Sequence, residues 1–444
     1  MVRPDVEDAD SLPPVRREFA SKKVTRLLLF TLLTAFGLAV PSMAAAQGGE
    51  AIAGTFRNPE ADNEPVPGVE VVVTAEDGTR VGVAISDDDG RYELELPGEG
   101  RYTAELQVDT LPEGVRLTDP DRTTLTFQVN PGQRKALIFP FGEDTAASVT
   151  FVDRLLPTLL DGARLGLIIA MCAIGLSLIY GTTQFTNFAH GEMVMFGALV
   201  TWFFNQLGGL PVIVAAAIAV VAAGAFGAVQ EVALWGPLRR RKTGPFSMMT
   251  ISFGLSLFLV YLFQYLYGSR SRPYSQYVIQ DPLFSLGNAN VPPRVIATIV
   301  LSVVVLGAVG LFLQRARFGK ATRAVADNGP LAAASGINSD RVILLVWIMG
   351  SALAGLGGIL NSLDQQVQFQ QGSNLLLLMF AGITLGGLGT SFGAAAGCFL
   401  IGIAIQVSTL FVPTSLKNVG ALVILILVLL FRPQGIFGRK ERVG

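Results

Sequence analysis

The chain has one histidine and two cysteines in 444 residues, and only 15% of it is charged. Each shortage excludes something. A lone histidine, with no second histidine or thiolate nearby, does not make a metal site. Cys172 and Cys398 both sit inside apolar runs, so they read as small buried side chains rather than a disulfide framework. A soluble domain carries roughly a quarter charged residues, and the deficit here argues against an ordinary soluble protein. The net charge of -1 excludes a generally basic nucleic-acid binder. A phosphate loop is also missing. Gly319-Lys320 is followed by Ala321, and Gln314 stands where such a loop needs glycine. The chain is therefore expected to bind no nucleotide or other cofactor itself and to hold no catalytic residues.

What is present is apolar, at 51% of the chain, and unevenly spread. Charges are frequent from Met1 to Val152 and retreat to a few loops after Ala163. The N-terminus has the pattern of an export signal. Arg16, Arg17, Lys22, Lys23 and Arg26 precede the apolar stretch Leu27 to Val40. Ser42-Met43-Ala44 or Ala44-Ala45-Ala46 then offers a small-x-small cleavage site. An uncleaved anchor is the alternative, and the long polar stretch before Lys22 allows a start downstream of Met1. Either reading of residues 1–46 exports the segment beginning at Gln47.

Residues 50–142 alternate in short segments between turn residues. Val69 to Thr74, Arg80 to Ser86, Arg91 to Leu96, Arg101 to Val108, Thr123 to Val129 and Arg134 to Phe139 read as strands of a small all-β sandwich. Asp87-Asp88-Asp89 lacks the alternating ligand spacing of a calcium loop and reads as a hairpin turn. No nucleophile, base or metal cluster appears in this stretch, which suits a docking or spacer role.

After a linker over 143–162, residues 163–432 contain nine apolar segments: Ala163–Gly181, Phe185–Asn205, Pro211–Trp235, Phe246–Gly268, Val295–Leu313, Ile343–Leu363, Leu375–Gly389, Phe392–Phe411 and Leu416–Phe431. The fold class expected is an all-α polytopic membrane bundle of about 8–9 spans. Leu375–Gly389 is short for a span and reads as a broken or half-membrane helix. Three basic clusters set the orientation: Arg239-Arg240-Arg241-Lys242; Arg315, Arg317, Lys320, Arg323 and Arg341; and the tail over 433–444 with Arg432 before it. If all three are cytoplasmic, Ala163 enters from outside, in agreement with an exported β domain. Gly350, Ala354 and Gly358 share a helix face, and Gly386, Gly387, Gly389, Gly393 and Gly397 form a second small-residue cluster. Such faces bring helix backbones close together in lipid; a moving or solute-lining backbone is the other reading.

The loop Gln314 to Arg341 predicts a short helix, Pro330 to Ser335, capped by Asp327 or Asn328 and ended at Gly336. It is too short to stand alone and is expected to dock, either on a cytosolic partner or on its own bundle. Near the second apolar segment, Asn187 can cap a helix N-terminus that carries His190 and Glu192 close to the cytoplasmic side. Such an anion is favoured by the helix dipole. These residues serve either as an interfacial turn or as part of a gate.

Four motifs carry a family resemblance. They are Leu176-Ser177-Leu178-Ile179-Tyr180-Gly181 with Asn187-Phe188-Ala189-His190-Gly191-Glu192; Arg317 to Ala326 closing at Gly336-Ile337-Asn338; Leu385-Gly386-Gly387-Leu388-Gly389-Thr390 with Gly393-Ala394; and Arg432-Pro433-Gln434-Gly435-Ile436-Phe437-Gly438. In this order, from about Leu160 onward, they resemble the branched-chain amino acid ABC transporter permeases of the first-subunit type, to which urea and short-chain amide permeases are related. The earlier segment, with Pro65-Val66-Pro67-Gly68-Val69, Asp89-Gly90-Arg91-Tyr92 and Gly100-Arg101-Tyr102, resembles carboxypeptidase-regulatory-like β-sandwich domains. The resemblance implies a multi-pass plasma-membrane subunit, in contact with membrane lipid, that pairs with a second related permease. It implies cytosolic ABC ATPase subunits that use the ATP and an extracytoplasmic solute-binding protein, with no role for nucleic acid. It assigns ATPase coupling to Gly319, Lys320, Arg323, Ala324, Asp327, Ala332, Gly336 and Ile337. It makes Asn187, His190, Glu192, Gly386, Gly387 and Gly389 candidates for a translocation path or gate. Gly329, Pro330, Ala333 and Ser335 depart from the charged or bulky residues usual in that loop, as Ser391-Phe392 departs from a small residue and proline. The rival classes are an autonomous channel or secondary transporter with an outer sensor domain, and a scaffold whose β domain binds cell-wall or protein ligands.

Overall fold

The computed structural model describes residues 50–413, apart from 59–63, 113, 119–122, 130–133, 138, 143–149, 278–279, 281, 287–288 and 388, together with scattered residues between 416 and 430. Residues 1–46, read as an export signal or anchor, the tail with Arg432 to Gly438, and most of the last apolar segment lie outside the described residues. The chain divides into two compact units at Thr150/Phe151.

In the first unit, β1 (Ala51–Thr55), β2 (Arg57–Asn58), β3 (Glu64–Pro65), β4 (Glu70–Ala75), β5 (Arg80–Ile85), β6 (Arg91–Glu95), β7 (Gly100–Leu106), β8 (Thr124–Val129) and β9 (Arg134–Ala136) form two main sheets. One is antiparallel in the order β5-β4-β7-β8. The other is β6-β1-β9, with β9 parallel to β1. Period-two alternation explains the register. Val71 and Val73 point inward from β4 and are fully buried, while Val72 between them is not. They share one core with Ile52, Phe56, Tyr92, Tyr102, Leu106 and Phe127 from both sheets. Tyr92 donates its hydroxyl to Leu137 O at 2.9 Å, and burial raises its phenol above the usual range. The acidic triplet is a turn, as expected. Asp87 Oδ1 accepts the Asp89 and Arg91 amides at 3.0 and 2.7 Å, and Gly90 supplies the positive φ of 72°.

The second unit is helical: α1 (Phe151–Thr183), α2 (His190–Trp202), α3 (Val212–Arg240), α4 (Pro245–Tyr267), α5 (Pro293–Arg315), α6 (Arg317–Asp327), α7 (Gly329–Ala334), α8 (Ser339–Gln365), α9 (Gln371–Gly386) and α10 (Ser391–Ser408). A small hairpin, β10 (Phe284–Leu286) with β11 (Ala289–Val291), precedes α5. Helix α1 already begins at Phe151, inside the stretch read as linker. Six helices, α1, α3, α4, α5, α8 and α10, are long and apolar enough to cross a membrane. The described residues thus hold six such helices and two shorter ones, α2 and α9, while the last of the segments behind the expected eight to nine spans lies mostly outside them. Helix α2 gains one further turn of wide helix over Phe203–Leu207.

The centre of the bundle is α1 and α8. Their most apolar windows are 72% and 67% buried, against 17% for α5, which is left facing outward. Small residues allow this centre to close. A Cβ added at Gly175 of α1 would lie 2.5 Å from Gly350 O of α8, so the two backbones touch where other residues would hold them apart. Two ion pairs lie within the long helices. Arg239 forks onto Glu231 within α3, and Arg164 of α1 reaches Asp364 of α8 at 2.8 Å.

Replacing Gly175 by leucine should separate α1 from α8. We expect Gly175→Leu to aggregate on size-exclusion in detergent. Gly254→Leu in α4, where an added Cβ meets nothing within 4 Å, should run as the unaltered chain. Equal behaviour of the two variants would show that the α1–α8 crossing is not the constraint.

Candidate functional site

The backbone reverses at Gln184, whose φ of 59° is left-handed. It then runs back into the bundle rather than starting a new span at its edge. The decisive contact is His190 Nε2 with Cys172 O, at 3.0 Å. Cys172 precedes the end of α1 at Thr183 by eleven residues, about 16 Å of helix at 1.5 Å per residue. So α2 begins deep inside, and the expectation that His190 and Glu192 lie near the cytoplasmic start of a span is corrected. The apolar run Phe185–Asn205 gave no sign of the break, because residues 185–189 are themselves mostly apolar.

Irregular backbone at such depth must have its polar groups satisfied by protein. Here Ser252 of α4 accepts the Phe188 amide at 3.0 Å and donates toward Thr186 O at 3.2 Å. Asn187 Oδ1 accepts the Ala189 amide at 3.1 Å. The expected capping role of Asn187 is thus displaced. It braces the turn before the helix, whereas the N-cap residue is Ala189 and makes no side-chain cap bond. Phe185 packs beside it, tilted against Trp235 and stacked with Trp347 at centroid distances of 4.9 and 6.4 Å.

A second helix start meets the first. The side chain of Gln371, at the beginning of α9, donates to Gly358 O at 2.9 Å and accepts from Ser362 Oγ at 2.8 Å. Both residues belong to the last turns of α8. A Cβ on Gly191 would sit 2.6 Å from Gly372 O. The N-terminal turns of α2 and α9 therefore touch, and the helices leave the contact toward opposite ends of the bundle. Reading Leu375–Gly389 as a half-length helix agrees with this geometry.

Glu192 lies at that junction with no exposed surface. Its Oε1 accepts from Ser256 Oγ of α4 and Ser373 Oγ of α9, both at 3.3 Å. Its Oε2, like Nδ1 of His190, finds no partner among the described residues. Two helix N-termini, each the electropositive end of its dipole, surround a carboxylate that no Lys or Arg faces. Ser256 and Ser373 escaped the sequence reading because isolated serines in apolar runs carry no spacing signal. Of the remaining path candidates, Gly386 packs on Gly393. Gly387 and Gly389 take positive φ in the turn between α9 and α10, well away from Glu192. The face shared by α1 and α9 also carries two recesses. The one toward Gly386 has a volume of about 210 Å³ and is lined by Leu176, Ser177, Tyr180, Thr186, Phe188, Phe380, Ile383 and Thr384. The other lies toward the start of α9.

The short helix expected after α5 forms as α7, preceded by a further helix, α6, over a stretch read as loop. Asn328 caps α7 by accepting the Leu331 amide at 3.0 Å, and Gly336 ends it with φ 87°. Arg323 donates to Leu313 O at 2.6 Å, closing the C-terminal end of α5. Gly319 is buried against the same turn, where a Cβ would strike Leu313 O. Gly319 and Ala332 are buried, and Ala324 and Ile337 are half-buried, so these four form the frame of the loop. Lys320, Arg323, Asp327 and Gly336 are exposed. Leu331, absent from the sequence-based set, is 66% exposed on a six-residue helix, an unusual place for a leucine without a partner.

Residues 158–430 match the family model described as branched-chain amino acid transport system / permease component. The chain belongs to that family. It is similar to the high-affinity branched-chain amino acid transport system permease protein LivH of Escherichia coli K12, at 31% identity over 64% of this chain and 96% of that protein. It is likewise similar to BraD of Pseudomonas aeruginosa, at 30% over 64% and 96%, and to a probable LivH of Methanocaldococcus jannaschii, at 29% over 61% and 89%. A solved structure, PsaBC from Streptococcus pneumoniae in complex with Fab, gives a TM-score of 0.38 at 11% identity over 62% of this chain and 91% of that one, too loose a likeness to bear on the fold. Residues 51–130 match the carboxypeptidase regulatory-like domain. The chain is thus a multi-pass membrane permease of an ABC import system, with a β-rich domain before its helices.

At the junction, Glu192→Gln keeps an oxygen for both serines and should leave melting in detergent within about 1 kcal/mol of the unaltered chain. Glu192→Leu strips both serines of their acceptor and should cost about 2–4 kcal/mol, read as a lower melting temperature. If Leu melts no lower than Gln, the junction is not held by these bonds.

Proposed function

We propose that this permease carries branched-chain amino acids or related small polar solutes inward, as one of two related membrane subunits driven by cytosolic ATPases and fed by an external binding protein. The carrying observation is the family match over almost the whole length of its relatives, joined to a short capped helix that presents Leu331. The names of the relatives favour branched-chain amino acids over urea or short-chain amides. The loop from Gly319 to Ile337 is the ATPase contact in this reading. Burial divides it into a frame, Gly319, Ala324, Ala332 and Ile337, and a contact surface, Lys320, Arg323, Asp327, Leu331 and Gly336. The basic residues around this loop and after α3 favour the cytoplasmic side for it, which puts the β domain outside. Nothing chemical in the β domain suggests more than an accessory, docking role.

The path in this reading runs past the meeting point of α2 and α9. Broken helices whose N-termini meet within a bundle are a recurrent way to face solute with polar backbone ends. The family match weighs against an autonomous secondary transporter, a class that commonly places paired or cavity-facing charges inside its spans; Glu192 is held at the junction by two serines rather than by a cation.

Reconstitution with the partner subunits tests the whole reading. Uptake should require ATP. Uptake that survives ATP depletion while a proton gradient is kept, with no ATPase subunit co-purifying, overturns it. Within that assay Arg323→Glu sets a carboxylate against the negative end of α5, and Gly336→Pro cannot adopt φ 87°. Each should lower uptake by about tenfold or more, an effect of at least ~1.4 kcal/mol, while protein yield in the membrane stays level. Removing residues 50–142 should leave uptake within about twofold, an effect below about 1 kcal/mol.

A further inference from the structure

A cavity of about 580 Å³ opens between α3, α5 and α8, away from the junction. It is within the ~300–1,000 Å³ of small-molecule sites. Val212, Ala216 and Val220 recur every four residues along α3, and Leu356, Ile359 and Leu363 face them from α8. From Val212 to Val220 is about 12 Å of helix at 1.5 Å per residue, so the cavity is a slot that runs along the helices. Ala297 and Leu301 of α5 form its third wall. Helix α5 faces outward, with 17% of its most apolar window buried, and Ala297 is itself exposed. The slot is therefore open to whatever surrounds the bundle.

Its polar groups gather at one end. Arg294, Gln280 and Tyr277 line the mouth, where α5 begins. The deep end, at Val220, Leu301 and Leu356, is apolar. Gln280 Oε1 accepts the Arg294 amide at 3.0 Å, and Arg294 Nη1 donates to Tyr277 O at 3.2 Å. Arg294 Nε lies 3.8 Å from Asp364, a carboxylate that Arg164 holds at 2.8 Å. The Arg294 side chain is thus fixed in place, yet 23% of its surface stays exposed. A guanidinium matches a phosphate in shape and charge, and an arginine at the end of a span lies at the level of lipid headgroups.

We propose that the slot holds one membrane phospholipid. An acyl chain lies along residues 212–220, between α3, α5 and α8. The phosphate meets Arg294 at the start of α5, the electropositive end of a 23-residue helix. An apolar slot open to hydrocarbon does not hold water, and left empty it forfeits contacts along its walls. Among the lining residues beyond the mouth, only Thr298 carries a polar group, so the slot does not suit a polar solute. The lipid joins α5 to α3 and α8, and the inference is independent of what the permease carries.

The test counts retained lipids by native mass spectrometry, on the full chain and on the assembled importer. Both are delipidated and then given palmitoyl-oleoyl phosphatidylethanolamine, or the matching diacylglycerol, which lacks the phosphate. The unaltered chain should retain one more phospholipid than Ala297→Trp, whose indole fills the slot. Ala217→Trp fills it from α3 and replaces that variant if Ala297→Trp does not fold. Val300→Trp, on the same helix but outside the slot, should retain the lipid, since Val300 is 55% exposed. Arg294→Gln should hold it about tenfold more weakly, and diacylglycerol should bind the unaltered chain about tenfold more weakly than the phospholipid. Equal retention by the filled variant, by Arg294→Gln or of diacylglycerol overturns the proposal. So does a lipid that the isolated chain retains and the assembled importer does not, because a partner subunit would then cover the slot.

Discussion

Everything in the membrane unit depends on how two helix beginnings are held inside an apolar bundle. Lipid offers no hydrogen bonds, so a helix that starts at depth exposes amides that protein must satisfy or use. The chain meets that demand with side chains from neighbouring helices. Ser252 serves the backbone of the returning segment, Asn187 braces its turn, and Gln371 ties the start of α9 to α8. Glu192 then joins α2, α4 and α9 through Ser256 and Ser373. Closure of α1 on α8 through Gly175 and Gly350 is a second constraint on the same centre, and His190 of α2 meets Cys172 O of α1 there.

The consequence for function is directional. Helices α2 and α9 run from a common point toward opposite ends of the bundle. The recess lined by Phe380 and Ile383 and the recess lined by Leu375 and Leu378 lie along the same helix, α9. A small displacement of α9 therefore acts on both recesses together.

Much of the architecture was legible in the sequence, and the reasons differ by element. The β strands were readable because burial of one face imposes period two on Val69 to Thr74. Strand β1 was not, since Ala51, Ala53 and Gly54 have little β preference and its partner β9 pairs in parallel far along the chain. Helix α7 was readable from its cap, Asn328, and its stop, Gly336, because capping is local chemistry. The break before His190 was not. Hydropathy counts apolar residues and is blind to whether Phe185 to Ala189 are helical, and the serines that permit the break lie in other helices. Likewise, the glutamines at 365, 366 and 371 read only as a hydrated loop, because their convergence on Asn361 depends on α9 folding back beneath the end of α8.

The loop after α5 and the junction are connected by the same central helices. Arg323 closes the end of α5, and Arg240 after α3 reaches Asp340 at the start of α8, at 3.3 Å. That ion pair is exposed and worth little in stability, so rigidity of the loop comes instead from Gly319 and Ala332 buried against the bundle. Helix α8 begins just after this loop, carries Gly350 against α1, and ends at Asn361 and Gln365 beside the start of α9. One continuous, largely buried helix of 27 residues, about 40 Å at 1.5 Å per residue, thus joins the loop to the start of α9. A stiff element of that length needs no chain of intermediate contacts to connect its two ends.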